Sequence, residues 1–165
     1  MRTRTVILSF VTTAAIIGAS PALAKDKASE SFLKKAIQGN YSEIKMGELA
    51  QNNGQSDGVK SFGKMLATDH AAANEKAMGA AKTMEMTSPT GPDAKQKADY
   101  DKMAKMSGAQ FDKMFAKHMV ADHKKDIAEY KKEAKMKDAA GEYAGDQIDT
   151  LQKHLDTAKS LETAK

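Results

Sequence analysis

The chain has 165 residues, a net charge of +4, no cysteine and 5% aromatic residues. A chain of this length fits one domain with its own hydrophobic core, and without cysteine that domain can contain neither a disulfide framework nor a thiolate site. The lysines are interspersed with acidic residues, and no basic block carries interleaved aromatic residues, so nucleic-acid binding is not expected.

The first 24 residues have the pattern of a secretory signal peptide. Arg2 and Arg4 give a positive start, residues 6–19 carry no charge, and Ala22-Leu23-Ala24 has the small residues after which signal peptidase cuts. The apolar core of roughly 14 residues is shorter than the roughly 20 of a membrane-spanning helix, although an uncleaved anchor is the alternative. We therefore predict cleavage after Ala24. The mature domain, residues 25–165, is expected in the periplasm, soluble or peripheral to the envelope.

Two long amphipathic helices are predicted in the first half of the mature chain. The first runs from about Ser29 to Asn53 and ends at an Asn-Asn-Gly sequence. The second begins near Ser56 or Asp57, both favourable N-caps, and runs to about Met84. Apolar residues recur along it at steps of three and four, as helix burial requires: Val59, Phe62, Leu66, Ala73, Ala77 and Ala80.

The second half begins after a proline-containing loop at residues 87–92. Asp93 is expected to cap a short helix through about Lys105, and a third long helix follows over about 109–137. A fourth begins near Asp138. The inward faces carry Phe111, Phe115, Met119, Ile127 and Tyr130 in the third helix, and Ile148, Leu151, Leu155, Ala158 and Leu161 in the fourth.

These elements predict an all-α fold, a four-helix bundle with a short extra helix between helices 2 and 3. Amphipathic helices of this kind bury their apolar stripes against one another. The connection between the second and third long helices is the longest in the chain. It therefore favours a crossover of the ferritin-like type over simple up-down topology.

A nine-residue pattern occurs twice, once in each of the second and third long helices. The segment 62–70 aligns without gaps on 115–123, with Phe, Lys, Asp and His at the same places. In each copy a histidine, His70 or His123, lies eight residues beyond the phenylalanine and near the core side of its helix. An aspartate, Asp69 or Asp122, immediately precedes it.

One candidate metal ligand therefore falls on each long helix. His154 lies within the apolar stripe of the fourth helix, and Glu43 is the acidic residue best placed to face inward from the first, with Glu48 as the alternative. Imidazole and carboxylate ligands in a bundle core would suit Zn, Fe, Mn or Cu. The predicted metal ligands are Glu43, His70, His123 and His154.

The aspartates of the repeat are candidates to orient the histidines by hydrogen bonds. Metal-binding imidazoles usually donate their second N–H to such a group, and Asp69 and Asp122 are placed to provide it. His118, one turn before Asp122, is a further candidate ligand. It ranks lower because Met65 takes its place in the other copy of the repeat.

Other functions remain as alternatives. A histidine on an apolar stripe is often only a core residue bonded to a carboxylate or carbonyl. The protein would then be a non-catalytic structural or stress-protective envelope protein that acts through a protein partner. A ferritin-type di-iron centre is not expected, because Ala67 and Val120 stand where its Glu-x-x-His motifs need glutamate. No nucleophilic-serine motif or phosphate-binding loop occurs. A redox enzyme with a metal centre is the third and least favoured alternative.

The sequence resembles a bacterial envelope family known as domain of unknown function 4142, often labelled as predicted outer-membrane proteins. Four segments carry the resemblance: residues 42–50, 59–70, 111–123 and 151–155, which contain Glu43, His70, the Asp122-His123 pair and His154. The resemblance implies a ferritin-like bundle and a periplasmic location. It implies no activity, because none is established for the family.

Overall fold

The computed structural model describes the backbone of residues 21–164 and the side chains from Lys27 onward. Five helices and no strand occur in this part of the chain, which confirms the predicted all-α bundle with one short helix between the second and third long ones. Of the predicted signal peptide, residues 1–20 lie outside the described residues, and α1 includes the predicted cleavage position at Ala24. The helices are α1 (Pro21–Asn53), α2 (Asp57–Thr83), α3 (Ala94–Met103), α4 (Gly108–Glu133) and α5 (Ala139–Thr163).

Three helices begin at side-chain caps, two of which the sequence predicts. The Ser56 hydroxyl accepts a hydrogen bond from a backbone N–H in the first turn of α2. Asp93 forms a reciprocal capping box with Gln96 at the start of α3, and Asp138 accepts the Gly141 N–H at 2.8 Å in α5. These bonds satisfy N–H groups that have no partner within the helix.

The order of the long helices follows from contacts at the two ends of the bundle. At one end the Asp112 carboxylate, near the start of α4, accepts the backbone N–H groups of Gln55 and Ser56 at 2.8 Å, so α4 begins beside the α1–α2 turn. At the other end, Ser29 of α1 donates to Asp138 between α4 and α5 at 2.7 Å. The helices α2 and α4 therefore run parallel, and the chain crosses the length of the bundle between them, as in ferritin-type topology.

Packing is closest between α1 and α2, where two glycines let the backbones touch. A Cβ atom added to Gly63 would lie 2.6 Å from the carbonyl oxygen of Gly47, so only glycine allows this approach. The α1 and α4 helices contact each other less extensively than α1 and α2 do, and α3 packs against both α1 and α4. A cavity lies between these three helices.

The core consists of the predicted apolar stripes. The α5 helix contributes Leu151, Leu155 and Ala158 to it. The largest fully buried apolar side chains come from α1, α2 and α4: Leu33, Ile37, Met46, Phe62, Leu66, Phe111, Phe115 and Met119. The two copies of the repeat face each other across it, with the rings of Phe62 and Phe115 6.0 Å apart between centroids. None of the described helices is long and apolar enough to cross a membrane.

Candidate metal centre

Three imidazoles meet in the middle of the bundle, one each from α2, α4 and α5. His70, His123 and His154 are 5%, 1% and 0% exposed. Each lies on the apolar stripe of its helix, so burial of the stripes carries the rings inside. One ring nitrogen from each histidine lies within 4.8 Å of the others, and His70 and His123, the matching histidines of the repeat, have centroids 5.9 Å apart.

An amide on α1 determines which nitrogen of His70 carries the proton. Asn40 donates its Nδ2 to the Tyr143 hydroxyl at 3.1 Å, which turns its Oδ1 toward His70 Nδ1 at 2.9 Å. A carbonyl oxygen only accepts, so His70 Nδ1 is the protonated nitrogen. His70 Nε2 therefore has a free lone pair, and this buried atom has no hydrogen-bond partner among the described residues.

The other two histidines have their protons placed in the same way. His123 Nδ1 donates to the Met119 carbonyl one turn earlier, at 2.9 Å. His154 Nε2 donates to the Asp69 carboxylate at 2.9 Å. Both acceptors lie outside the cluster. In the neutral rings, the lone pairs of His123 Nε2 and His154 Nδ1 therefore point inward.

These two inward nitrogens lie 3.3 Å apart. Two facing lone pairs repel unless a proton or a cation lies between them. The separation has a simple geometric counterpart, because two nitrogens bound to one tetrahedral ion at about 2.05 Å lie about 3.3 Å apart. A ring nitrogen of His70 lies within 4.8 Å of ring nitrogens of both, and the outer N–H group of each of the three imidazoles is held by the protein.

The electrostatics of the cluster keep the imidazoles neutral. Burial, followed by repulsion from His123 and His154, lowers the pKa of His70 well below its ordinary value. Burial and the neighbouring His154 lower the pKa of His123 to about 4. Burial also lowers the pKa of His154, against the opposing effect of Asp69. Neutral imidazole is the form that binds metal ions.

Glu43 lies in the cavity between α1, α3 and α4 rather than among the three histidines. Its ligand oxygens are not part of the group of described side chains that meet within 4.8 Å. The cavity has a volume of about 350 Å³, and both Glu43 and His70 line it. Glu43 is 5% exposed, and its Oε2 is buried without a hydrogen-bond partner among the described residues. Burial, followed by the charges of Asp122 and Asp126, raises the pKa of Glu43 well above its ordinary value.

The remaining candidates have different surroundings. Asp69 contacts His154 from α5, 85 positions away, rather than its neighbour His70. Asp122 pairs with His118 at 3.2 Å, one turn away on α4, where both side chains line the cavity. Glu48, the alternative to Glu43, is exposed on the outer face of α1.

Two groups near the site were not predicted. Asn40 holds His70 and begins a buried hydrogen-bonded chain to Tyr143 and then Tyr130, whose hydroxyls are 3.3 Å apart. Asp126 lines the cavity, and burial with the charge of Asp122 raises its pKa to about 7. A sequence signal existed for both, because Asn40 lies three residues before Glu43, and Asp126 three after His123, on the same helical faces.

Fold and site together define a four-helix bundle with a buried cluster of three histidines. The chain belongs to the family described as "Domain of unknown function (DUF4142)", which it matches over residues 14–161. The resemblance noted in the sequence is thereby confirmed. No curated protein and no solved structure matches the chain at a significant level.

Proposed function

We propose that this protein is an exported, periplasmic metal-binding bundle that holds one transition-metal ion through His70, His123 and His154. The three imidazoles supply neutral nitrogen donors. A fourth coordination position faces the cavity that Glu43 lines. Three protein ligands with one open position are the arrangement of zinc sites that exchange a ligand, in contrast to closed structural sites.

The observation that carries this proposal is the direction of the ring lone pairs. Asn40, the Met119 carbonyl and Asp69 each accept the outer N–H of one histidine. If the histidines only filled the core, their inner nitrogens would be expected to find donors. Instead two of them face each other at 3.3 Å, and the third is unpartnered. A cation at their centre satisfies all three.

The donor set favours some ions over others. Neutral imidazole suits Zn²⁺, Cu²⁺ and Fe²⁺, whereas Mn²⁺ prefers sites richer in oxygen ligands. A buried divalent ion needs negative charge nearby. Asp69 supplies it behind His154, 2.9 Å from the ring Nε2. The proposed role is binding rather than catalysis.

Metal content of the purified protein tests the proposal. The full chain would be produced with its own N-terminal segment, purified from the periplasm without a histidine tag or chelator, and measured by elemental mass spectrometry. We expect close to one Zn, Cu or Fe per chain in the wild type, and almost none in a His70→Leu/His123→Leu double variant. The variant should stay folded by circular dichroism, because leucine fits an apolar core.

His118→Leu is the matched control, since His118 lies on α4 but outside the cluster. It should keep the ion. Wild-type protein that is metal-free, and gains no thermal stability from Zn²⁺, Cu²⁺, Fe²⁺ or Mn²⁺, would refute the proposal. The histidines would then be structural, and a structural or stress-protective role through a protein partner would replace it. Recovery of the protein in the cytoplasm with its N-terminal segment intact would refute the export proposal separately.

A further inference from the structure

The cavity between α1, α3 and α4 is lined by an unusual number of carboxylates. At its outer rim lie Lys95 and Lys125, whose side chains are 81% and 68% exposed, so it reaches solvent. At its inner end lies His70 of the histidine cluster. The acidic side chains along it are Glu43, Asp93, Asp99, Asp122, Asp126 and Glu129.

Four of these six carboxylates are already engaged. Asp93 caps α3, and the other three pair with a basic residue one turn away on their own helices: Asp99 with Lys95 at 2.6 Å, Asp122 with His118 at 3.2 Å and Glu129 with Lys125 at 3.8 Å. Glu43 and Asp126 remain. Neither makes an ion pair or a side-chain hydrogen bond among the described residues, and Glu43 Oε2 is buried without a partner.

A second, independent feature joins these carboxylates to the histidines. His70 Nε2 is also buried and unpartnered, and His70 lines the same cavity as Glu43. A cation inside the cavity would thus meet carboxylate oxygens first and imidazole nitrogen at the inner end. The cavity of about 350 Å³ far exceeds the roughly 10–15 Å³ that one water molecule needs. An ion can therefore enter it with much of its hydration water.

We propose that this acidic cavity is the route by which a hydrated divalent cation reaches the three histidines, and that Glu43 and Asp126 are the carboxylates that receive it. The inference rests on the proposed function, since it assigns the way into that same site. Hard oxygen donors hold a hydrated ion loosely, and imidazoles bind it once water is lost. The cavity carries six carboxyl groups against three lysines, and such an excess of acidic groups raises the local cation concentration and the association rate by about 10 to 10³. Burial raises the pKa of Glu43 and of Asp126, so an arriving cation displaces their protons to solvent.

Loading kinetics separate a route from a ligand set. Metal-free full-length protein would be mixed with Co²⁺ in a stopped-flow instrument, and the visible absorption of the bound ion followed. The test variant is Glu43→Gln/Asp126→Asn, which keeps the shape of both side chains. The control is Asp146→Asn/Asp149→Asn, which makes two carboxyl-to-amide changes at exposed positions on α5 outside the cavity. Circular dichroism would establish that both variants are folded.

We expect the test variant to load Co²⁺ at least about tenfold more slowly than the wild type and the control. Its equilibrium affinity should stay within about threefold of the wild type, since the histidines are untouched. The wild-type loading rate should also fall with added salt more steeply than that of the test variant, because salt screens the carboxylates.

Three results would overturn the inference. Loading of the test variant at the rate of the control would exclude the cavity as the route and leave the histidine site standing. A loss of equilibrium affinity beyond about tenfold would make Glu43 or Asp126 a ligand of the bound ion instead of a step on the way. Wild-type protein that takes up no Co²⁺ at all would refute the metal site and its route together.

Discussion

Replacing His123 by asparagine should change how the stability of the metal-free protein depends on pH. In the folded protein, burial and His154 lower the pKa of His123 to about 4 from an ordinary value of 6.5. As the pH falls, His123 therefore becomes protonated near pH 6.5 in the unfolded chain but only near pH 4 in the folded chain. The stability contributed by neutral His123 is fully present above pH 6.5 and is lost as the pH falls through this window.

The size of the effect follows from the two pKa values. One unit corresponds to about 1.4 kcal/mol, so the full difference is about 3 kcal/mol. Relative to pH 7, the wild type loses about 2 kcal/mol from this residue at pH 5 and about 3 kcal/mol at pH 4. Asparagine takes up no proton, so the variant lacks this loss. Titrating groups that His123 does not influence, including Asp126 with its opposite dependence on pH, cancel when the two proteins are compared.

The assay is urea unfolding of chelator-treated protein, followed by circular dichroism at pH 7, 6, 5 and 4. The free energy of unfolding of the wild type should fall relative to the variant by about 2–3 kcal/mol across this range. A difference that stays constant within about 0.5 kcal/mol would show that His123 titrates at its ordinary pKa. The imidazole would then be hydrated in the folded protein, and the tight, neutral cluster would be refuted.

Three further predictions concern the site and the bundle around it. Asp69→Asn should weaken Co²⁺ binding about 10- to 100-fold in an equilibrium titration, because His154 loses the carboxylate that fixes its proton, and unchanged affinity would contradict that role. An ion present at about 1,000 times its dissociation constant should add about 4 kcal/mol to the free energy of unfolding in urea, whereas binding to the unfolded chain as well would reduce this gain. Gly63→Ala should cost about 1–3 kcal/mol in the same assay, because the new methyl group would collide with Gly47 on α1. In the control Gly79→Ala nothing lies within 4 Å of the new Cβ, so the free energy of unfolding should rise by about 0.5–1 kcal/mol. Equal effects of the two substitutions would show that α1 and α2 can move apart at little cost.

Much of the fold was readable because a period of 3.6 residues determines which side of each helix is apolar. The stripes of Phe62 and Leu66 in α2, and of Phe111 and Phe115 in α4, are buried as predicted. Helix ends were less predictable. The first helix is already formed at Pro21, the first residue that the structure describes, so it extends at least eight residues before Ser29. The α4 helix ends at Glu133, four residues early.

The same periodicity predicted that the three histidines face inward, but it could not set their heights relative to Glu43. Periodicity fixes the rotation of a helix about its own axis and not its translation along a neighbour. That translation depends on contacts such as Gly47 against Gly63, which joins residues far apart in sequence. For the same reason the bond from Asp69 to His154, across two helices, was not foreseen. The cavity depends on how far α1 and α4 separate, which no local pattern encodes.

The facing copies of the repeat also give the bundle an approximate two-fold axis. Because α2 and α4 run parallel on opposite sides of the core, a half-turn about the bundle axis exchanges Phe62 with Phe115 and His70 with His123. The same rotation exchanges α5 with α1. It brings the position of His154 onto the face of α1 that carries Asn40. An amide thus stands where symmetry would place a fourth imidazole. Three imidazoles and one amide therefore surround the centre of the bundle, and α1 is the long helix that contributes no imidazole to it.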